Sequence, residues 1–490
     1  MKKIYLYTLA GAFSFLGAGC SKLKDFGDVN NNPAATVIPI PSALLSNVEA
    51  GLGGYGSTGT EAISGGQYAQ YFTETQYSGT SLYNLPQNGF TGNYAGNLNN
   101  LQLIINQNPN KNMVNVAKIL QQYIFWIVTD SWGDVPYSEA LKGSANILPK
   151  YDTQETIYKG ILTTLTTAIN SFDSSPISGD IIYGGDVASW KRMANSLKLL
   201  VAVQMSNVPS ASSIASAAAS EAINDSNGGV IATNDQNFKL QYPGGNYKSA
   251  WWNLYNGRKD FAEAKTLTDV TAATNDPRQA AFGGESEVAG NVTTSSIGVP
   301  YGLARLTVTA FTDANPKWAR VLRGDYRLEN GYVMLISAAE VWLARAEAAN
   351  LGWISETIST DYKAGVTASF AQWGAGTPSA AYLNQFPVTD TKDANITHAQ
   401  VKNISTQRWI SSYPDGHMGW NIWRKTGWPS LTPAPDATNS SKKIVRRFVY
   451  ATSEYNTNGA NVNAAVARLK GGDSQDSRVW WDTRDDKDNN

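Results

Sequence analysis

Apolar residues recur at helical spacing in several stretches of this chain. Val116, Ile119, Leu120, Tyr123, Ile124 and Ile127 share one face when wound at about 3.6 residues per turn. Ile157, Ile161, Leu162, Leu165, Ile169 and Phe172 draw a second stripe, and Asp152 to Glu155 has the spacing of a capping box that would start it. Trp190, Met193, Leu197, Leu200 and Val201 mark a third. Ser337 and Glu340 make another capping box, opening a helix through Val341, Leu343, Ala346 and Ala349 that Gly352 would close. The alanines at 344, 346, 348 and 349 leave room for a neighbouring helix to approach.

Between about residues 226 and 335 this period fades. Gly, Asn, Thr and Pro take over, and short runs such as Arg305-Leu306-Thr307-Val308-Thr309 look β-like. Residues 71–97 make a similar, smaller excursion. The pattern predicts a mainly α body over 42–490 carrying a loop-rich insertion at about 226–335. Loops on a rigid scaffold are where binding residues concentrate. The last helical pattern loosely resembles a tetratricopeptide helix, a unit that stacks into superhelices, although no regular repeat period of about 34 residues is visible.

The N-terminus has a different character. Lys2 and Lys3 precede an apolar stretch from Ile4 to Leu16, which ends in Gly17-Ala18-Gly19 and then Cys20. That order of charged, apolar and small residues is a secretory signal, and its apolar part is too short for the roughly 20 residues that span a bilayer. The run into cysteine resembles a lipoprotein signal, with Gly17 where a leucine is usual. Residues 1–19 are thus expected to be a signal peptide and 20–41 a tether acylated at Cys20. Cys20 is the single cysteine of the 490 residues, so it has no intramolecular disulfide partner. Two or more acyl chains anchor a protein stably. Ser21, not Asp, follows the cysteine, which by lipoprotein sorting rules favours the outer membrane.

Composition narrows the partners. The formal net charge is −1 and only 16% of residues are charged, so there is no basic surplus for phosphates and no nucleic-acid partner is expected. Fifteen Trp, 24 Tyr and 14 Phe accompany a surface that must be largely neutral amide and hydroxyl. Aromatic faces beside amides suit an uncharged, hydroxyl-rich ligand such as a sugar, although most single rings belong to a core.

Catalytic motifs are sparse. His398 and His417 are the two histidines, without HExxH spacing or a cysteine cluster, and no G-x-S-x-G elbow occurs. Gly51-Leu52-Gly53-Gly54-Tyr55-Gly56 matches G-x-G-x-x-G as a string. It follows a helical stretch and opens no βαβ unit, so it reads as a flexible loop. Carboxylate pairs such as Asp134 with Glu139, or Asp313 with Asp325, carry no mark that selects them. No enzyme activity, cofactor or metal is implied.

Several blocks together resemble the SusD/RagB family, especially its SusD-like 2 branch. They are Asp28-Val29-Asn30-Asn31-Asn32-Pro33, Gln70-Tyr71-Phe72 with Gln76-Tyr77, and the phrase from Asp130 through Trp132-Gly133-Asp134 to Ala140. Asn275-Asp276-Pro277-Arg278, Glu340 to Ala348, Gln407-Arg408-Trp409-Ile410 and Trp423 to Pro429 follow, and Arg446-Arg447-Phe448 and Glu454 to Asn458 close the series. The resemblance implies a degenerate tetratricopeptide-like helical scaffold with an irregular ligand-facing subdomain. It implies a surface-exposed outer-membrane lipoprotein that captures a nutrient, usually a glycan, for a SusC-like TonB-dependent transporter. Some relatives bind peptides instead, and a surface glycoside hydrolase is the remote alternative. No catalytic residues carry over. Trp132-Gly133-Asp134 and Asn275-Asp276-Pro277-Arg278 read as turns.

Ligand residues in such proteins lie in loops. In the first loop Tyr77, Tyr83 and Phe90 are candidate stacking rings, with Asn93 as a hydroxyl partner. In the insertion the candidates are Trp251, Trp252 and Tyr255, with Arg258 as a polar clamp. Adjacent Trp251 and Trp252 would point to opposite sides if extended, so at most one is expected to face ligand.

Overall fold

The computed structural model describes residues 38–84, 88–224, 226 and 228–485. The expected signal peptide, Cys20, the tether up to residue 37 and the block from Asp28 to Pro33 lie outside the described residues.

Helices dominate from Pro41 onward. The first set is α1 (Pro41–Leu52), α2 (Thr60–Tyr68), α3 (Asn99–Gln107), α4 (Lys111–Trp132), α5 (Gln154–Ser171), α6 (Val187–Gln204) and α7 (Ser212–Asn224). All but α2 pack in succession: α1 on α3, α3 on α4, α4 on α5, α5 on α6 and α6 on α7. This nearest-neighbour stacking is the tetratricopeptide-like arrangement that the periodicity suggests. The stripe on α4 understates its burial. From Asn112 to Trp132 nearly every side chain is inside, including Gln121, Gln122 and Asp130. The Asn110 side chain starts that helix by accepting a bond from Met113 N at 3.0 Å. The cap of α5 differs from the expected one. Thr153, not Asp152, accepts from Thr156 N. Asp152 lies in a short ladder with Val135, and its carboxylate takes Ser138 N at 2.7 Å.

Among the described residues four strands have three or more residues: β1 (Phe72–Glu74), β2 (Phe238–Gln241), β3 (Phe261–Glu263) and β4 (Tyr332–Ile336). β2 pairs with β4, and β1 with β3, both antiparallel. Helices α8 (Lys265–Ala273) and α9 (Arg305–Ala314) lie between β3 and β4. The expectation of a β-like run at Arg305 to Thr309 is wrong, since this run opens α9. Val308 and Thr312, four apart, are its buried residues, while Leu306 is 84% exposed. A strand would have put Leu306 and Val308 on one face; the helix separates them.

The second helical set is α10 (Ala338–Asn350), α11 (Ile358–Gln372), α12 (Ala399–Ser412), α13 (Gly416–Thr426) and α14 (Thr452–Val466). Ser337 Oγ accepts from Glu340 N at 3.1 Å, and Gly352 follows α10 at φ +77°, as expected for its two ends. The alanine-rich α10 is enclosed by α6, α11 and α12. α12 packs on α13, which crosses α2 so closely that a Cβ on Gly416 would sit 2.1 Å from Ala62 O. The core runs through the whole body, with Trp126, Trp132, Trp190, Trp409, Trp420 and Trp481 fully buried. The G-x-G-x-x-G string is no flexible loop. It ends α1 in a packed turn, where a Cβ on Gly56 would lie 2.3 Å from Met334 O.

Candidate functional site

The β1–β3 ladder joins the two loop-rich stretches of the sequence. Phe72 faces Glu263 and Glu74 faces Phe261. Just beyond the ladder, Thr75 N donates to Asp260 O at 2.7 Å, and the Thr75 hydroxyl donates to Lys259 O. The loop leaving β1 and the loop entering β3 therefore leave the body side by side.

The first loop is folded around one carboxylate. Glu74 Oε2 accepts from Thr80 N at 3.0 Å and from Ser81 N at 3.2 Å, while Glu74 N donates to Ser81 Oγ. Ser81 Oγ donates in turn to Gln67 Oε1 of α2. Burial pushes the Glu74 carboxyl up to about 7, against the hydrogen bonds that oppose it. Tyr77 projects from this loop, 65% exposed. Beside it, Gln76 Oε1 accepts from the Arg305 guanidinium at 3.5 Å.

The second loop turns at a Gly244–Tyr247 bridge that leaves Tyr247 exposed. Ser249 then caps a single helical turn, Ala250–Asn253. Trp251 points inward, against Phe72. Trp252 is half-buried and carries the Lys248 ammonium 3.9 Å above its ring centre. Lys248 is paired with Glu329 at 2.7 Å. Arg258 is exposed and donates to Asp260 at 2.7 Å.

Of the eight residues picked from the sequence, Tyr77, Trp252 and Arg258 thus reach solvent at this edge. Four others are interior. Tyr83 is fully buried, and its hydroxyl accepts from Ala434 N at 2.9 Å. Phe90 packs among Tyr94, Trp132 and Tyr151. Trp251 is 2% exposed. The Tyr255 hydroxyl donates to Phe261 O and accepts from Val321 N, with Arg327 over its ring. Rings enclosed on both faces leave no surface for a ligand to stack on. Asn93 is half-buried and occupied, accepting from the Tyr55 hydroxyl at 2.6 Å and donating to Glu61 at 2.8 Å. Trp251 and Trp252 do diverge, but through a helical turn instead of an extended strand. Tyr247 and Lys248 stand in the same loop with no signal in the sequence to mark them. Tyr247 sits in a turn without periodicity, and Glu329, the partner of Lys248, is 81 positions away.

The two turn-like phrases are internal fittings. Gly133 ends α4 at φ +83°, and Asp134 holds Gln154 N and the Arg468 guanidinium. Asp276 and Arg278 form a fully buried ion pair, which Tyr382, Ser369, Gln407 and Ser411 complete. Burial alone would raise the Asp276 carboxyl, yet Arg278 holds it below its ordinary value.

Beneath Trp251 lies an internal cavity of about 30 Å³, lined by Glu340, Asp415, Trp373 and Tyr326. Burial raises both carboxyls, Glu340 to about 8 with Asp415 adding to it, and Asp415 to about 7. Raised carboxyls can mark a hydrolytic pair. Such a pair must flank a sugar ring, whereas this cavity has room for about one water. Among the described residues there is no group of three His, Cys, Asp or Glu placed to hold a metal. No described helix is long and apolar enough to cross a membrane.

Solved structures share this fold. A chitin-binding protein matches at 26% identity and a TM-score of 0.75, over 91% of this chain and 100% of its own. A SusD homologue from Bacteroides uniformis matches at 25% and 0.74, over 91% and 98%. A chitin-binding SusD homologue from Flavobacterium johnsoniae, at 24% and 0.76 over 91% and 99%, shares the architecture. No functionally curated protein matches the chain. The family model described as starch-binding associating with outer membrane matches residues 31–451, which cover the helices from α1 to α13 and both loops of the edge, so the chain belongs to the SusD-like 2 family.

Proposed function

We propose that this protein is a surface lipoprotein, anchored at Cys20, that captures an oligosaccharide at the β1–β3 loop edge and passes it to a SusC-like TonB-dependent transporter. The observation that carries the reading is the convergence of two loops distant in sequence. The ladder brings the loop that carries Tyr77 alongside the loop that carries Arg258, Tyr247 and Trp252, which supports a shared binding edge. The exposed Tyr77 and Tyr247 and the half-buried Trp252, one face of which Lys248 covers, offer apolar ring surface to sugars, and the guanidinium and the Gln76 amide offer bonds to hydroxyls. An open edge of this kind suits a chain-like ligand, which several weak contacts hold together. Membership of a starch-binding family and the likeness to a chitin-binding protein support a glycan. Eleven per cent aromatic residues with few charges fit a neutral one better than a peptide.

The test is calorimetric titration of the purified protein with N-acetylglucosamine and glucose oligomers. A Tyr77→Ala/Trp252→Ala variant should bind at least tenfold more weakly with an unchanged unfolding temperature. Unchanged affinity in that variant would remove the edge as the site. Co-purification of a β-barrel with the acylated protein tests the transporter step.

A further inference from the structure

A groove of about 670 Å³ lies on the helical frame, between α3, α4 and α5 and the loop carrying Tyr137 and Lys142. Its size falls in the range of ligand pockets, about 300–1,000 Å³. The aromatic part of its lining is a fixed pair, Phe125 and Tyr137, edge to face with ring centres 4.8 Å apart. Tyr137 is pressed against α5 at Gly160, where a Cβ would come within 2.6 Å of the ring, and its hydroxyl donates to Gln122 at 2.8 Å. On the α3 side an amide relay runs from Gln121 to Gln102 at 3.2 Å and on to Asn106 at 2.8 Å. On the α5 side stand the hydroxyls of Thr163, Thr164 and Thr167.

The charges in this groove have one sign. Lys118 and Lys142 line it and no Asp or Glu does. Lys118 is half-buried, and no described carboxylate lies within ion-pair distance of it. Lys142 has Glu139 in its field, but that carboxylate is taken by Lys150 N and Asn146. A cation partly withdrawn from water gains most from a matching anion. Amides, hydroxyls and the half-buried Tyr137 ring meanwhile fit sugar hydroxyls and a sugar face, while Phe125, 3% exposed, only supports that ring.

We infer that this groove is a second saccharide site, and that it takes a segment of an acidic glycan bearing uronate or sulfate groups. It would hold charged stretches of a chain while the loop edge holds neutral ones. The site stands on its own residues and does not require the loop edge to bind.

The experiment titrates the full chain with hexagalacturonate, a chondroitin sulfate hexasaccharide, neutral N-acetylglucosamine hexamer and hexaglutamate. At least one acidic saccharide should bind, more weakly as salt rises. Lys118→Gln/Lys142→Gln and, separately, Gln102→Ala/Thr163→Ala should each weaken that binding tenfold or more at an unchanged unfolding temperature. Tyr77→Ala/Trp252→Ala should leave it intact, which separates this site from the loop edge. The inference fails if neither acidic saccharide binds, if both groove variants bind as the parent does, or if hexaglutamate displaces the saccharide and binds more tightly.

Discussion

Arg278 and Arg258 are each paired with an aspartate two positions away, at 2.6 and 2.5 Å. The pairs are alike in chemistry and opposite in setting. Arg278 is buried where the insertion meets the helical frame, and its guanidinium also reaches Ser369 on α11 and Gln407 and Ser411 on α12. Arg258 stands 62% exposed at the loop edge. The buried pair has every donor assigned to a protein partner, so it fixes one arrangement of three chain segments. In the second pair Asp260 is itself buried, at 8% exposed, and holds Arg258 through two bonds, but the guanidinium stands mostly in water. At the junction polarity is used for registration; at the edge it stays available.

The sharpest way to break this comparison is to remove one member of each pair. Asp276→Ala leaves a buried guanidinium uncompensated and should cost about 3–5 kcal/mol in denaturant unfolding. Asp260→Ala removes a buried carboxylate but leaves Arg258 solvated, and should cost less, about 1 kcal/mol. Equal losses would mean that burial is not what separates the two regions.

The neighbouring tryptophans repeat the contrast. Trp251→Ala should cost about 3–5 kcal/mol of stability, because its ring fills core against Phe72. Trp252→Ala should leave the unfolding midpoint nearly unchanged and weaken glycan binding by about 1 kcal/mol, read by titration. A third comparison concerns close approach. Gly416→Ala sets a methyl against the α2 backbone and should cost about 1–3 kcal/mol, whereas Gly92→Ala, with open space around it, should be nearly silent.

A pH dependence is expected at the loop edge as well. Burial raises the Glu74 carboxyl from about 4.5 to about 7, so the fold favours its protonated form. Its contribution to stability is therefore complete below about pH 4.5, declines as pH climbs to about 7, and is flat above. The difference in unfolding temperature between the parent and Glu74→Gln should drift by a few degrees across that window. A difference that does not change with pH would mean that Glu74 is not the titrating anchor of the Tyr77 loop.

Helices were legible where their causes are local. The stripes of α4, α5 and α6 and the Ser337 cap follow from residues within one or two turns of each other. The errors have the same origin. Asp152 has a capping spacing, but its backbone is drawn into a ladder with Val135. Arg305 to Thr309 alternates like a strand, yet the one deeply buried face of α9 settled its form. Loop membership marks a ring as a candidate but does not say on which side of the loop it lies.

What the sequence determined alone is the helical scaffold, the family blocks and the two aromatic-bearing loops. Tertiary structure decided which aromatic groups face water. Tyr77 and Tyr83 share one loop, but Tyr83 is turned inward by Ala434, 351 positions on. The loop of Arg258 runs beside the loop of Tyr77 because Thr75 bonds to Lys259, 184 positions away. Helical periodicity is a property of contacts about four residues apart. A loop has no such period, so the exposure of its side chains is set by whichever distant segment packs against it.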